Sequence, residues 1–97
     1  MKAGLGALKV VVVGQGYVGL PVAIRAGEVG FDVIGLEVDE RRAKALEAGE
    51  SYVEDISDER LAAAKGTGRY RATSNPAHAN GFDIAVISVP TPLRDAK

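Results

Sequence analysis

Four consecutive valines followed by three closely spaced glycines are the feature that most constrains how this chain can fold. The valines occupy positions 10–13, and Gly14, Gly16 and Gly19 follow with the spacing Gly-x-Gly-x-x-Gly. A β-branched run that breaks into such a triplet predicts a buried strand, a tight turn and the first residues of a helix. In that arrangement Gly14 turns the chain, Gly16 leaves room for a ligand at the backbone, and Gly19 lets helix and strand pack closely. Free N–H groups at the start of the helix would face an anion, and no Lys or Arg lies between residues 10 and 24.

A second apolar run, residues 31–36, is followed by the acidic residues Glu37 and Asp39. Glu37 lies 18 residues beyond Gly19, close to where a dinucleotide-binding fold places the carboxylate that holds the adenosine ribose. Strand, glycine spacing and acidic residue together therefore favour dinucleotide binding. The alternative is a glycine turn in another α/β protein, with a solvated acidic loop after its second strand.

The rest of the chain predicts alternating strands and helices, delimited by glycines, prolines and capping residues. Predicted strands cover residues 8–13, 31–38, 69–73 and 82–89, and predicted helices cover residues 17–28, 40–48 and 57–65. Asp39 and Ser57 are candidate N-caps. The third strand is short and polar, which favours a place at the sheet edge. We therefore expect an α/β fold, a Rossmann-like parallel sheet of order 3-2-1-4 that forms the first half of a doubly wound dinucleotide-binding fold.

The 97 residues suffice for one domain and carry 12 basic against 13 acidic side chains, with no cysteine. The near balance of charge gives no argument for binding nucleic acid or an anionic membrane. Without cysteine, this sequence holds no disulfide or thiolate metal site, and we assign no metal to it. It contains neither a signal-peptide core nor an apolar run long enough to span a membrane, so we expect a cytoplasmic protein.

Four segments resemble the N-terminal NAD-binding domain of nucleotide-sugar 6-dehydrogenases, the UDP-glucose/GDP-mannose dehydrogenase family. They are GQGYVGLP at residues 14–21, FDVIGLEVD at 31–39, SYVEDI at 51–56 and IAVISVPTPL at 84–93. The resemblance runs in register from about Lys9 to Leu93 and covers nearly the whole chain. The combination of YVGLP with VPTP is far more specific than the glycine triplet alone.

The resemblance implies NAD as cofactor and a nucleotide sugar as substrate of the full-length enzyme. Members of this family oxidise the C6 hydroxyl of a UDP- or GDP-sugar to a carboxylate in two hydride transfers to NAD. The segment at residues 51–56 is similar to that of members acting on N-acetylated UDP-hexosamines. The family's catalytic cysteine, lysine and asparagine would lie beyond the end of this sequence. We therefore assign no catalytic residue here, and we expect a fragment or separately made domain without turnover of its own.

The resemblance also implies which residues bind NAD. The main chain of residues 15–18 would contact the pyrophosphate, Glu37 would hold the adenosine ribose, Arg42 would lie near the adenine, and residues 88–91 would pass under the nicotinamide side. The family usually has Asp in place of Glu37, but the longer carboxylate should still repel the 2′-phosphate of NADP. The full predicted set is Gly14, Gln15, Gly16, Tyr17, Val18, Gly19, Glu37, Asp39, Arg42, Ser88, Val89, Pro90 and Thr91.

Two other functions share the strand, the glycine turn and the acidic residue. One is a module that senses NAD or NADH without catalysis, and the other is a β-hydroxyacid dehydrogenase. The VPTP sequence at residues 89–92 favours the nucleotide-sugar dehydrogenase over the first, and YVGLP at residues 17–21 favours it over the second.

The first and fourth predicted strands are apolar on both faces. Right-handed crossovers between the first three strands would place their helices on one face only. The other face, and the free edge of the fourth strand, would then be exposed unless another chain covers them. We therefore expect self-association through that face or edge.

Overall fold

The computed structural model describes residues 8–88 of the chain. Within this range four parallel strands form one sheet in the order β3-β2-β1-β4. They are β1 (Lys9–Val13), β2 (Asp32–Leu36), β3 (Tyr70–Thr73) and β4 (Ile84–Ile87). In the central pairings Val11 lies opposite Ile34 of β2 and Ala85 of β4. The predicted fold class and strand order are confirmed.

Three α-helices and one short 3-10 helix connect these strands. They are α1 (Gly19–Glu28), α2 (Glu40–Glu47), α3 (Asp58–Gly66) and the 3-10 helix Pro76–Ala79. The first helix begins at Gly19 rather than at the predicted Tyr17, because residues 16–18 form the turn that leaves β1. Pro21 consequently occupies the first turn of α1, where its missing N–H leaves no helical hydrogen bond broken.

The helices α1, α2 and α3 cover one face of the sheet and build the main core against it. Its fully buried members include Val12, Leu20, Ile24, Leu46 and Leu61. The opposite face carries a smaller cluster, in which Val11 and Ile34 pack against Ala79 of the 3-10 helix. The expected one-sided placement of the helices is therefore correct.

The predicted position of β3 at the sheet edge is confirmed. Tyr70, Ala72 and Thr73 are buried, and only Arg71 is exposed. Tyr70 and Ala72 lie on the side that the helices cover. Thr73 lies on the other side with Arg71, where its hydroxyl is hydrogen-bonded to His78 Nδ1 of the 3-10 helix at 2.7 Å. On β4, by contrast, Ile84 and Ile87 are 44% and 67% exposed.

Both predicted N-caps are present. The Asp39 carboxylate accepts hydrogen bonds from the N–H groups of Arg41 and Arg42, at 2.9 and 3.4 Å. The Ser57 hydroxyl accepts one from the Arg60 N–H at 3.0 Å. These bonds satisfy main-chain donors that have no partner inside the helix.

Ser57→Ala is expected to destabilise the fold by about 1 kcal/mol, because α3 loses an acceptor at its first turn. Ser57→Gly is the matched control and should lose only about 0.3 kcal/mol, since glycine is tolerated at N-caps. Urea unfolding followed by circular dichroism measures both. Equal losses for the two variants would contradict the capping role.

Candidate functional site

The turn between β1 and α1 has a backbone conformation and close packing that require glycine at two positions. Gly14 has φ +92°, a conformation that side chains disfavour, and its N–H donates to the Leu36 carbonyl at 2.8 Å. A Cβ built on Gly19 would lie 1.7 Å from the Gly14 carbonyl oxygen. Both glycines are thus required by the backbone itself, as their spacing predicts.

The start of α1 presents main-chain donors to solvent. Within residues 8–88, the N–H groups of Gly16, Tyr17 and Val18 have no acceptor. A Cβ built on Gly16 would meet nothing within 4 Å, and the Tyr17 side chain is 79% exposed. Free N–H groups at the positive end of a helix, with open space in front of them, suit an anion such as a diphosphate.

Glu37 lies beside this turn and is only 6% exposed. One carboxylate oxygen accepts from the Gln15 N–H at 2.9 Å, and the other accepts from the Asp39 N–H at 3.0 Å. Two main-chain donors therefore fix the carboxylate at the carboxyl end of β2. The sequence argument expects the acidic group at this place.

A cavity of about 600 Å³ joins the glycine turn to Glu37. Eight residues of the predicted cofactor set line it: Gly14, Gln15, Gly16, Tyr17, Val18, Glu37, Arg42 and Ser88. Gly19 is buried at the start of α1, and Asp39 lines an adjacent cavity of about 400 Å³. Val89, Pro90 and Thr91 lie outside the described residues. The donors, the carboxylate and the space fit the diphosphate and ribose of a dinucleotide.

Gln15 is oriented inward, and its polar groups are used inside the fold. Its side chain is 0% exposed, and its amide N–H₂ donates to the carbonyls of Val12 and Gly14, at 3.1 and 3.0 Å. The Gln15 Oε1 accepts from the Tyr70 hydroxyl at 2.8 Å. Since its main-chain N–H already donates to Glu37, the donors that remain for a ligand are those of residues 16–18.

Gly35 and Tyr70 support this turn and are among the residues that sequence reasoning missed. A Cβ on Gly35 would lie 2.3 Å from Gln15 Oε1 and 2.9 Å from the Tyr70 hydroxyl oxygen. The available signal is a glycine inside an otherwise apolar strand, which marks a close approach by another group. Burial raises the pKa of Tyr70, so its hydroxyl remains a donor at neutral pH.

The smaller cavity lies between the glycine turn and α2. Its wall includes Gly16, Tyr17, Asp39, Arg41, Arg42 and Tyr52. The Arg42 guanidinium carbon is 5.1 Å from the centre of the Tyr52 ring, within the range of a cation–π contact. The Tyr52 hydroxyl donates to the Gln15 carbonyl at 2.7 Å. Among residues 8–88, no cluster of side chains is suited to bind a metal, and no helix is long and apolar enough to cross a membrane.

Comparison with known proteins identifies the family. The profile described as "UDP-glucose/GDP-mannose dehydrogenase family, NAD binding domain" matches residues 8–97. The chain belongs to this family. As its NAD-binding domain, the chain takes NAD as its cofactor. Neither of the alternative functions receives support from these comparisons.

Individual relatives agree with the family assignment. UDP-N-acetyl-D-mannosamine dehydrogenase from Pyrococcus horikoshii is 31% identical over 87 residues, which are 89% of this chain and 21% of that protein. NDP-N-acetyl-D-galactosaminuronic acid dehydrogenase from Ralstonia nicotianae is 37% identical over 87 residues, 89% of this chain and 20% of that protein. The chain thus spans about a fifth of the length of the curated relatives it matches.

Solved structures show the same similarity in three dimensions. The structure of the UDP-N-acetylmannosamine dehydrogenase from Pyrococcus horikoshii superposes with a TM-score of 0.83 and 30% identity, covering 88% of this chain and 21% of that one. A ternary complex of GDP-mannose dehydrogenase from Pseudomonas aeruginosa superposes with a TM-score of 0.78 and 30% identity, covering 86% of this chain and 20% of that one. The fold is therefore that of the matching fifth of these nucleotide-sugar dehydrogenases.

Proposed function

We propose that this chain is the NAD-binding part of a cytoplasmic dehydrogenase that oxidises the C6 hydroxyl of a UDP-sugar to a carboxylate. The observation that carries the proposal is the Glu37 carboxylate, fixed at 2.9 Å from the Gln15 N–H beside three free main-chain donors. The names of several relatives, UDP-N-acetyl-D-mannosamine dehydrogenase, support an N-acetylated hexosamine as the sugar. The coverage of a fifth of those relatives supports the further proposal that the chain is one part of a longer enzyme.

Each residue of the site has a defined task in this proposal. The N–H groups of residues 16–18 donate to the diphosphate, so that its charge is met by the amino end of α1 rather than by a cationic side chain. Glu37 accepts from the adenosine ribose hydroxyls, and Arg42 contributes a positive charge at the adenosine end. Ser88, which lines the same cavity, lies on the nicotinamide side in this proposal. When bound, NAD supplies the acceptor for hydride, and the residues named here hold and orient it.

Glu37→Ala is expected to weaken NAD binding about tenfold or more, because the ribose hydroxyls lose a charged acceptor. The wild-type chain should bind NADP at least about tenfold more weakly than NAD, since the buried carboxylate repels a 2′-phosphate. In Glu37→Ala the difference between the affinities for NAD and NADP should become smaller, because the repulsion of the 2′-phosphate is removed. Calorimetric titration of both cofactors measures the affinities, and a melting curve of each protein monitors folding.

Glu40→Ala is the matched control, since it removes the same charge from the exposed first turn of α2, outside the cavity wall. It should leave the affinities for NAD and NADP within about twofold of wild type. Equal losses for the two variants would contradict direct contact by Glu37, and a wild-type chain that binds neither cofactor would contradict the proposed site. The chain by itself should not oxidise a nucleotide sugar.

Self-association remains part of the proposal. The exposed Ile84 and Ile87 on β4 support it, because apolar side chains at a strand edge favour pairing with another chain. Sedimentation over a range of concentrations measures it, and a strictly monomeric chain that binds no hydrophobic dye would contradict it.

A further inference from the structure

The loop between α2 and α3 carries a tyrosine that contacts both the glycine turn and Arg42 of α2. Tyr52 lies in this loop, partly buried, on the wall of the 400 Å³ cavity. Its neighbours fix the loop: the Ser51 N–H donates to the Asp58 carboxylate at 2.8 Å, and the Ser51 hydroxyl bonds to the main chain of Val53, donating at 3.0 Å and accepting at 3.1 Å. These hydrogen bonds hold the main chain on both sides of Tyr52.

The Tyr52 side chain makes two contacts, one through its hydroxyl and one through the face of its ring. The hydroxyl donates to the main-chain carbonyl of Gln15 in the glycine turn at 2.7 Å. The ring face lies 5.1 Å from the Arg42 guanidinium carbon. Because Gln15 also donates to Glu37, one side chain joins the diphosphate-binding turn to a cation on α2.

The Arg42 guanidinium is available to a ligand. Within the described part of the chain it forms no ion pair, and the Asp39 carboxylate accepts from the Arg42 main chain rather than from its side chain. Arg42 lines both the 400 Å³ cavity and the 600 Å³ cavity that contains Glu37. The Arg42 side chain thus lies between Glu37 and the glycine turn. It packs on the Tyr52 ring and is not paired with an opposite charge among the described residues.

We propose that Tyr52 is a positioning residue for cofactor binding. Its ring places the Arg42 charge beside the adenosine diphosphate half of NAD, and its hydroxyl fixes the turn that receives the diphosphate. This inference rests on the proposed function of the site. Burial and the charge of Glu37 raise the pKa of Tyr52 to about 12, so the hydroxyl stays protonated and able to donate across the neutral range.

The two contacts can be separated by substitution. Tyr52→Phe removes the hydroxyl and keeps the ring, whereas Tyr52→Leu and Tyr52→Met remove both contacts while filling the space. Each is combined with Arg42→Gln, and ADP is titrated by calorimetry. ADP carries the adenine, ribose and diphosphate of NAD without its nicotinamide half. Arg42→Gln should weaken ADP binding about two- to fivefold in the wild-type and Phe backgrounds, and less than about 1.5-fold in the Leu and Met backgrounds.

Tyr52→Phe by itself should weaken ADP about three- to tenfold, since the turn loses a hydrogen bond, without changing the effect of Arg42→Gln. Arg41→Gln is the matched control, because Arg41 lines the same cavity without lying over the ring; its effect should be the same in every background. A general loss of structure would change both arginine effects alike, whereas a positioning role changes only that of Arg42.

The possible failures are distinguishable. A wild-type chain that binds neither ADP nor NAD overturns the proposed function itself. A chain that binds ADP but shows the same Arg42→Gln effect in all four backgrounds, or none in the wild type, overturns the role of Tyr52 and leaves the NAD site intact. Melting curves in the presence of ADP report binding for any variant too unstable for calorimetry.

Discussion

Gly19→Ala is expected to destabilise the fold by at least about 3 kcal/mol, a large part of the 5–15 kcal/mol typical of a domain. The added Cβ would lie 1.7 Å from the Gly14 carbonyl oxygen and 2.8 Å from its carbon. Both are backbone atoms, and Gly14 is itself tied to Leu36 by a 2.8 Å hydrogen bond. Neither partner can move without separating α1 from the sheet. Chemical unfolding followed by circular dichroism measures the loss.

Gly16→Ala is the matched control, three residues earlier in the same motif. A Cβ at this position meets nothing within 4 Å, so stability should change by less than about 0.5 kcal/mol. The new methyl group would instead occupy the space in front of the free N–H groups, and NAD affinity should fall about tenfold or more. Similar stability losses for both variants would contradict the different roles assigned to the two glycines.

Gly35→Ala is expected to destabilise the chain by about 2–4 kcal/mol, because it overpacks the core and displaces a buried hydrogen bond. The new Cβ would lie 2.3 Å from Gln15 Oε1 and 2.9 Å from the Tyr70 hydroxyl oxygen. The Tyr70–Gln15 hydrogen bond of 2.8 Å would have to break or shift. Since Gln15 also positions the turn, NAD binding should weaken together with stability.

A double substitution tests this explanation. Gln15→Ala removes the atoms nearest to the new Cβ, so in that background Gly35→Ala should be less harmful by at least about 1 kcal/mol. The comparison uses the free energy of unfolding of the four proteins in one denaturant. Strictly additive losses would mean that the Gln15 side chain does not occupy the space that Gly35 provides.

The parts of the fold that the sequence predicts are those determined by local pattern. The valine run, the three glycines and the acid at residue 37 each act over a few residues, and right-handed crossovers then leave one strand order. Glu37 could therefore be placed beside the turn before any coordinates were known. The same holds for Asp39 and Ser57, whose capping bonds span two or three residues.

The features that the sequence does not predict depend on contacts between residues that are far apart in the chain. Gln15 meets Tyr70 across 55 positions and Tyr52 across 37, and nothing near Gln15 indicates that its side chain turns inward. The burial of the third strand is hard to predict, because Arg69 and Arg71 make the segment 69–73 polar in composition. Its alternation of Arg71 with the buried Tyr70 and Ala72 is the pattern of a strand with one covered face.

The two hydrogen bonds that Glu37 accepts from the main chain have a further consequence for affinity. A carboxylate offers about four lone-pair positions, and the Gln15 and Asp39 N–H groups take two of them. Two lone-pair positions remain, which matches the number of hydroxyl donors, 2′ and 3′, on a ribose. In the proposed function, the Glu37 side chain is therefore already ordered before the ribose binds, and its loss of conformational entropy has occurred during folding.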